Sequence, residues 1–178
     1  MNTVKSSDSS RFSRGFTLLE VLVVAGILVV LMILTFRVVP TYWARAEGVK
    51  CAQNMKSLQT SLAACLQDVG HWPQEPEDIW LSNNNNAYED WWLKTLAPYG
   101  GTEMVWQCPT IRRKVVVKSK DGRPKIHYTP TMFDDKPYTP YKWSTQPWLV
   151  EIGNMHGRGA LLAFPDGSIR AMNDVTGQ

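Results

Sequence analysis

Residues 16–36 read FTLLEVLVVAGILVVLMILTF, and the fold turns on how this stretch is read. It carries one charge, Glu20. At about 1.5 Å per residue it spans roughly 30 Å as a helix, the thickness of a bilayer core. Its apolar residues cover every side of such a helix, unlike the one-sided stripe of a surface helix. Ahead of it lies MNTVKSSDSSRFSRG, with Lys5, Arg11 and Arg14 against Asp8. Positive charge before an apolar span holds that end in the cytoplasm and sends the following chain across. A secretory signal has a shorter core, about 7–15 residues, and a small-residue cleavage site. Here no such site follows, and RVVPTYWARAEGVK continues in helical style. A plain signal-anchor helix is left open by length and hydropathy alone.

The composition is consistent with this uneven layout. The 178 residues are 44% hydrophobic and 20% charged, with a net charge of +3. That is too apolar for a disordered chain and too poor in glycine for a collagen. The three cysteines are too few for a disulfide-dense mini-protein, and the charge is too small to argue for nucleic-acid binding. The mean hydropathy of -0.24 averages a membrane segment with a polar remainder.

The junction is more specific. Arg14-Gly15-Phe16-Thr17-Leu18-Leu19-Glu20 resembles the type III signal of type IV pilins and type II secretion pseudopilins, matching from Gly15 to Glu20 without departure. The resemblance implies that a prepilin peptidase cuts between Gly15 and Phe16 and N-methylates Phe16. Gly15, lacking a side chain, lets its backbone approach a protease closely. A carboxylate within a membrane helix costs on the order of 2.5–3.5 kcal/mol, so Glu20 needs a partner. In the family that partner is the amino terminus of a neighbouring subunit, which sets the axial register of the filament. The alternative is that Glu20 lies near enough to the cytoplasmic face to reach water. Its presence fits a shaft subunit, since tip-type minor pseudopilins can lack it.

Helical periodicity continues beyond Phe36. Cys51, Met55, Leu58, Leu62, Cys65, Leu66 and Val69 recur at three- and four-residue spacings among polar Lys50, Gln53, Lys56, Gln59 and Gln67. The pattern predicts an amphipathic helix ending at Gly70, with Pro73 beyond it. Read continuously from Phe16, the helix is roughly 80 Å long. Pro40 should kink or loosen it, and two helices meeting near Pro40 are the alternative. The predicted organisation is a leader at 1–15, a transmembrane and polymerisation helix at 16–39, an amphipathic half at 40–70 and a globular head at 71–178.

Within the head, HWPQEPEDIWLSNNNN reads as loop, with the asparagines at 83–86 as a polar turn. AYEDWWLKTLAPYG predicts a short helix from Tyr88 to Leu96. KVVVKS, KDGRP and KIHYT read as a hairpin about an Asp-Gly turn; WLVEI is a third strand, and ALLAF, PDG and SIRAM are a second hairpin. Four or five short, mostly antiparallel strands packed on the amphipathic helix give an α+β, pilin-like fold. Three further segments resemble a pseudopilin subgroup: NMKSLQTSLAACLQDVGHWP, WQCPT at 106–110, and His156 followed after nine residues by Asp166-Gly167. The last departs from the subgroup at Pro165 and Ser168 and lacks the usual Asn before the strand. The major pseudopilin is the nearest functional relative this resemblance suggests.

Chemistry is sparse. His156 and Asp166 are weak candidates for metal ligands or an acid–base pair, against the simpler reading that Asp166-Gly167 makes a turn. Major pseudopilins bind calcium through an acidic loop, but Asp134-Asp135 and Asp174 offer only a sparse version, so no calcium site is carried over and no cofactor is expected. His71 and His127 lack a triad context, and no nucleotide-binding, hydrolase or metalloprotease motif is present; an enzyme is not expected. Cys51 and Cys65 lie fourteen residues apart on one helix, roughly 21 Å, too far to bond to each other. Either can pair with Cys108. Cys65, nearer the head, is the better-placed candidate, and three reduced, buried thiols are the alternative. Trp43 suits a membrane interface. Trp72, Trp80, Trp91, Trp92, Trp106, Trp143 and Trp148 suit a core and subunit contacts better than a sugar- or DNA-binding face. Arg112, Arg113, Lys114, Lys118, Lys120, Arg123 and Lys125 read as a solvated face of the first hairpin.

The leading expectation is a type II secretion pseudopilus subunit: a single-pass inner-membrane protein with a cytoplasmic leader and periplasmic head, moving into a periplasmic or surface filament on assembly. Its implied partners are the membrane, prepilin peptidase, an inner-membrane assembly platform, and its own copies with other pseudopilins; no nucleic acid is expected. A type IV pilus or competence pilin is the closest rival, and an unpolymerised membrane-anchored binding module the next. A periplasmic enzyme lacks a motif.

Overall fold

The computed structural model describes residues 16–81, 85–114 and 124–177, apart from the side chains of Arg37, Val38 and Trp80. The chain divides into two compact units, Met1–Thr41 and Tyr42–Gln178. Helix α1 covers Leu18–Val69, with Pro40 inside it. In the first unit every large apolar side chain from Leu18 to Leu34 is more than half exposed. Among the described residues, α1 is the one helix long and apolar enough to cross a membrane.

The second unit is built around the other part of α1. Cys51, Met55, Leu58 and Leu62 are fully buried, and Cys65 and Leu66 nearly so. The predicted stripe therefore packs as the periodicity requires, except that its last member, Val69, is 46% exposed. Gln59, expected on the polar face, is buried and donates to the Pro165 carbonyl at 3.4 Å. Gly70 stops the helix: its φ is 83°, and its amide reaches the Leu66 carbonyl at 3.0 Å. This left-handed position favours glycine because a Cβ would be strained there.

Beyond α1 come α2 (Glu77–Leu81), α3 (Asn85–Leu96), 3-10 turns at Ala97–Tyr99 and Glu103–Trp106, and α4 (Pro109–Lys114). The predicted helix at 88–96 is present and begins earlier, so Asn85 and Asn86 are helical rather than a turn. Helix α2 likewise replaces part of the expected loop. The order then continues with β1 (Tyr128–Pro130), α5 (Thr139–Lys142), β2 (Leu149–Glu151), β3 (Leu161–Ala163), β4 (Ile169–Ala171) and α6 (Met172–Thr176).

The four strands form one antiparallel sheet in the order β1-β2-β3-β4. The register pairs Tyr128 with Glu151, Leu149 with Ala163, and Leu161 with Ala171. The second hairpin forms as predicted. Gly167, at φ 77°, and Asp166 make its turn, with the Asp166 carboxylate accepting the Ser168 amide at 2.8 Å. Of the first hairpin, residues 115–123 lie outside the described residues. Its leading Lys114 belongs to α4, where Pro109 opens the helix and the Arg112 amide reaches the Cys108 carbonyl at 3.0 Å. Proline at the first helical turn costs no hydrogen bond, which favours the helix that takes in Lys114.

Together these elements make the α+β, pilin-like layout. The tryptophans mostly fill its core: Trp72, Trp92, Trp106 and Trp148 are at most 1% exposed. Trp72 meets Trp92, Phe133 and Trp148 edge-on, with ring centroids 6.4, 4.7 and 5.6 Å away. Edge-to-face contact places the positive rim of one ring against the negative face of another. Trp43 and Trp143 are exposed.

Candidate functional site

Two places concentrate chemistry. The first is the start of α1. The Thr17 hydroxyl accepts the Glu20 amide at 3.2 Å, and Glu20 Oε2 accepts the Thr17 amide at 3.1 Å. This reciprocal arrangement is a capping box, which satisfies two of the amides that a helix start leaves without partners. The signal was present in the sequence as Thr-x-x-Glu, yet only the charge of Glu20 drew attention. The carboxylate at this position thus orders the first turn. Both of its bonds fall on Oε2, since the Thr17 hydroxyl also reaches that oxygen at 3.2 Å. Phe16, the residue before the cap, is 86% exposed. Gly15 lies outside the described residues.

The second place is in the head, where α1, α4 and the sheet meet. Cys51 and Cys108 form a disulfide with a Cα separation of 4.9 Å, and Cys65 is a buried free thiol. This corrects the expected Cys65–Cys108 pairing. The reason is the path of the chain. WQCPT lies alongside residues 47–54 of α1, with Asn54 donating to the Gln107 carbonyl at 2.9 Å. Glu47 is bonded to Thr110 at 3.1 Å and to Arg113 at 2.7 Å. Cys51 sits between Glu47 and Asn54, whereas Cys65 lies more than three helical turns further on. There, burial pushes its thiol pKa up. Nearness to the head in sequence did not decide contact in space.

Beside the disulfide sits an acidic side chain that the sequence reading passed over. Glu151 lies on β2, where alternation turns it to the same inner face as Leu149. Its side chain is fully buried. Oε1 meets His156 Nε2 at 3.0 Å, and Oε2 accepts the Leu161 amide at 3.2 Å. Burial raises its pKa, and the His156 ring opposes that rise. His156 Nε2 also lies 3.6 Å from the Cys108 sulfur. Across the sheet Tyr128, the register partner of Glu151, donates its hydroxyl to the Cys51 carbonyl at 3.1 Å. The legible signal was a carboxylate at an inward position of a strand, which demands a partner.

The other candidates have different partners. Asp166 caps its own hairpin and faces Arg170 at 3.3 Å; the structure does not bring it to His156. His127 is buried, accepts the Cys108 amide on Nδ1 at 2.9 Å and bonds the Pro124 carbonyl, and burial lowers its pKa. His71 contacts the Trp72 carbonyl at 2.9 Å. Asp134 pairs with Lys136 at 3.7 Å, and Asp174 pairs with Arg158. Of the basic group, Arg113 pairs with Glu47, Lys125 with Asp90 at 2.6 Å, and Lys114 reaches the Met155 carbonyl at 2.9 Å. These residues are spread over α4 and the approach to β1 rather than over one hairpin. Lys118, Lys120 and Arg123 lie outside the described residues.

Comparison with known families matches the prokaryotic N-terminal methylation motif to residues 10–36, the signature of type IV pilins and pseudopilins. The match covers 27 of the 178 residues, so what it shows is that the chain carries this N-terminal motif. Neither the curated proteins nor the solved structures give a significant match.

Proposed function

We propose that the chain is a structural subunit of a type II secretion pseudopilus. Prepilin peptidase cuts between Gly15 and Phe16 and methylates Phe16, and the apolar helix then carries the subunit from the inner membrane into a filament with other copies and other pseudopilins. The observation that carries this reading is the methylation motif leading directly into an all-round exposed apolar helix. So continuous an apolar surface marks contact with lipid or with other helices. A polymerising subunit uses both in turn. Glu20 has a place in this scheme: its carboxylate meets the methylated amino group of Phe16 in a neighbouring subunit, neutralising both charges in an apolar surround. The head faces the periplasm and serves as a packing body. It has no catalytic task, and its histidines are engaged with carbonyls, an amide and a buried carboxylate.

N-terminal sequencing of the mature protein tests the processing step. Methyl-phenylalanine at Phe16 is the expected first residue; a chain still beginning at Met1 sinks the reading. Deletion in the source cell separates the secretion role from the rival pilus role. Loss of exported proteins with surface fibres intact is expected, and loss of fibres or DNA uptake with export intact would transfer the subunit to a pilus.

A further inference from the structure

Cys51, Cys108, Glu151 and His156 present two sulfurs, a carboxylate oxygen and a ring nitrogen within 4.8 Å of one another. They come from α1, the turn before α4, β2 and the loop after β2, so only the folded head assembles them. Of two close separations here, one already matches an edge of a metal tetrahedron and the other is a shorter, hydrogen-bonded one. His156 Nε2 lies 3.6 Å from Cys108 Sγ and 3.0 Å from Glu151 Oε1. Bonds of about 2.3 Å to sulfur and about 2.0–2.2 Å to nitrogen or oxygen place ligand atoms roughly 3.3–3.8 Å apart. Nε2 faces two acceptors and carries at most one hydrogen. A cation at that point bonds all the groups that a single proton can only partly satisfy.

The surroundings hold the ligands as a metal site requires. Glu151 Oε2 is tied to the Leu161 amide, which leaves Oε1 aimed inward. The Cys108 amide is fixed by His127 Nδ1. The His156 ring lies against α1 at Gly48, where an added Cβ would stand 3.4 Å from Nδ1. Outer contacts of this kind orient ligands. Two thiolates with an imidazole and a carboxylate suit zinc rather than calcium or magnesium.

We propose that reduction of the Cys51–Cys108 disulfide converts this cluster into a four-ligand site for a zinc-class divalent cation. Metal and disulfide are then alternative cross-links at one place. The reductant is a dithiol. Its thiolate attacks one cystine sulfur, its second thiol closes on the first, and it leaves as a disulfide; two electrons and two protons end on Cys51 and Cys108. The sulfurs separate by side-chain rotation. The cation then displaces both thiol protons to solvent, and the imidazole hydrogen resides on Nδ1, which frees the Nε2 lone pair for the metal.

The test uses the full chain in detergent, reduced with a phosphine so that no added thiol competes for metal, and titrated with Co²⁺ and then Zn²⁺. Expected are one Co²⁺ per reduced chain, thiolate-to-metal charge transfer, tetrahedral visible bands, and displacement by Zn²⁺. The disulfide form shows none of these. His156→Ala and Glu151→Gln each weaken binding at least about tenfold. Equal affinity in the reduced His156→Ala/Glu151→Gln double variant would overturn the proposal, because the cysteines would then bind without the other two. Circular dichroism covers the case where reduction loosens the head: a helical signal lost on reduction and not regained with Zn²⁺ also overturns it.

Discussion

Cys51 and Cys108 are bonded to each other across 57 residues of sequence, and the bond fastens α1 to the turn that opens α4. On either side of Cys51, Glu47 and Asn54 hold the same segment through Arg113, Thr110 and the Gln107 carbonyl. The cross-link thus lies within an already hydrogen-bonded contact.

Closing a loop of this length restricts the unfolded chain, so its loss should cost about 2–4 kcal/mol. Cys108→Ser is expected to lower the denaturant midpoint accordingly. The denatured, unreduced wild type should show a single reactive thiol, that of Cys65. Three reactive thiols would show that the bridge does not form.

At the start of α1, charge and capping can be separated. Glu20→Gln keeps the capping box, because glutamine also fills that role, and removes the negative charge. Filament incorporation, followed by crosslinking between subunits, should fall sharply while membrane insertion and processing persist. Thr17→Ala does the reverse, costing about 1 kcal/mol of helix stability while leaving the charge. Incorporation that is undiminished in Glu20→Gln would remove the charge-pairing argument.

The Glu47–Arg113 pair predicts a pH dependence. The Arg113 guanidinium holds the Glu47 carboxyl below its ordinary value of 4.5, against an opposing effect of burial. A depressed carboxyl pKa means that the unfolded chain binds the proton more readily than the folded one. The pair's contribution is therefore present above about pH 4.5 and fades as pH falls through the lower, folded value. Thermal melts from neutral pH into the acid range should show a shallower acid decline in Arg113→Ala than in wild type. Parallel declines would mean that the pair is silent.

The aromatic core predicts unequal tryptophans. Trp72 is 1% exposed and touches three aromatic rings, so Trp72→Ala should cost about 3–5 kcal/mol. Trp143 is 51% exposed, and Trp143→Ala should change stability by less than about 0.5 kcal/mol. Urea unfolding of both variants in detergent checks the contrast, and similar losses would contradict this assignment of the core.

Local order was the part that sequence could express. The run at 16–36, the stripe from Cys51 to Leu66, Gly70 after the helix and the Asp166-Gly167 turn each follow from spacing or from one residue's backbone preference. The methylation signature is likewise a contiguous string. The candidate site in the head is different. Glu151 was legible only as a strand residue, and His156 only as the start of a weak motif. What joined them to the cysteines was the antiparallel register and the return of WQCPT along α1.

Sequence by itself therefore determined that an apolar helix enters by a processing motif and leads into an amphipathic helix with a small antiparallel sheet, because periodicity and turn chemistry act over a few residues. Tertiary structure alone decided which cysteine meets Cys108 and why Glu151 is buried beside His156. Those outcomes depend on which distant surfaces pack together, and no local spacing encodes that choice.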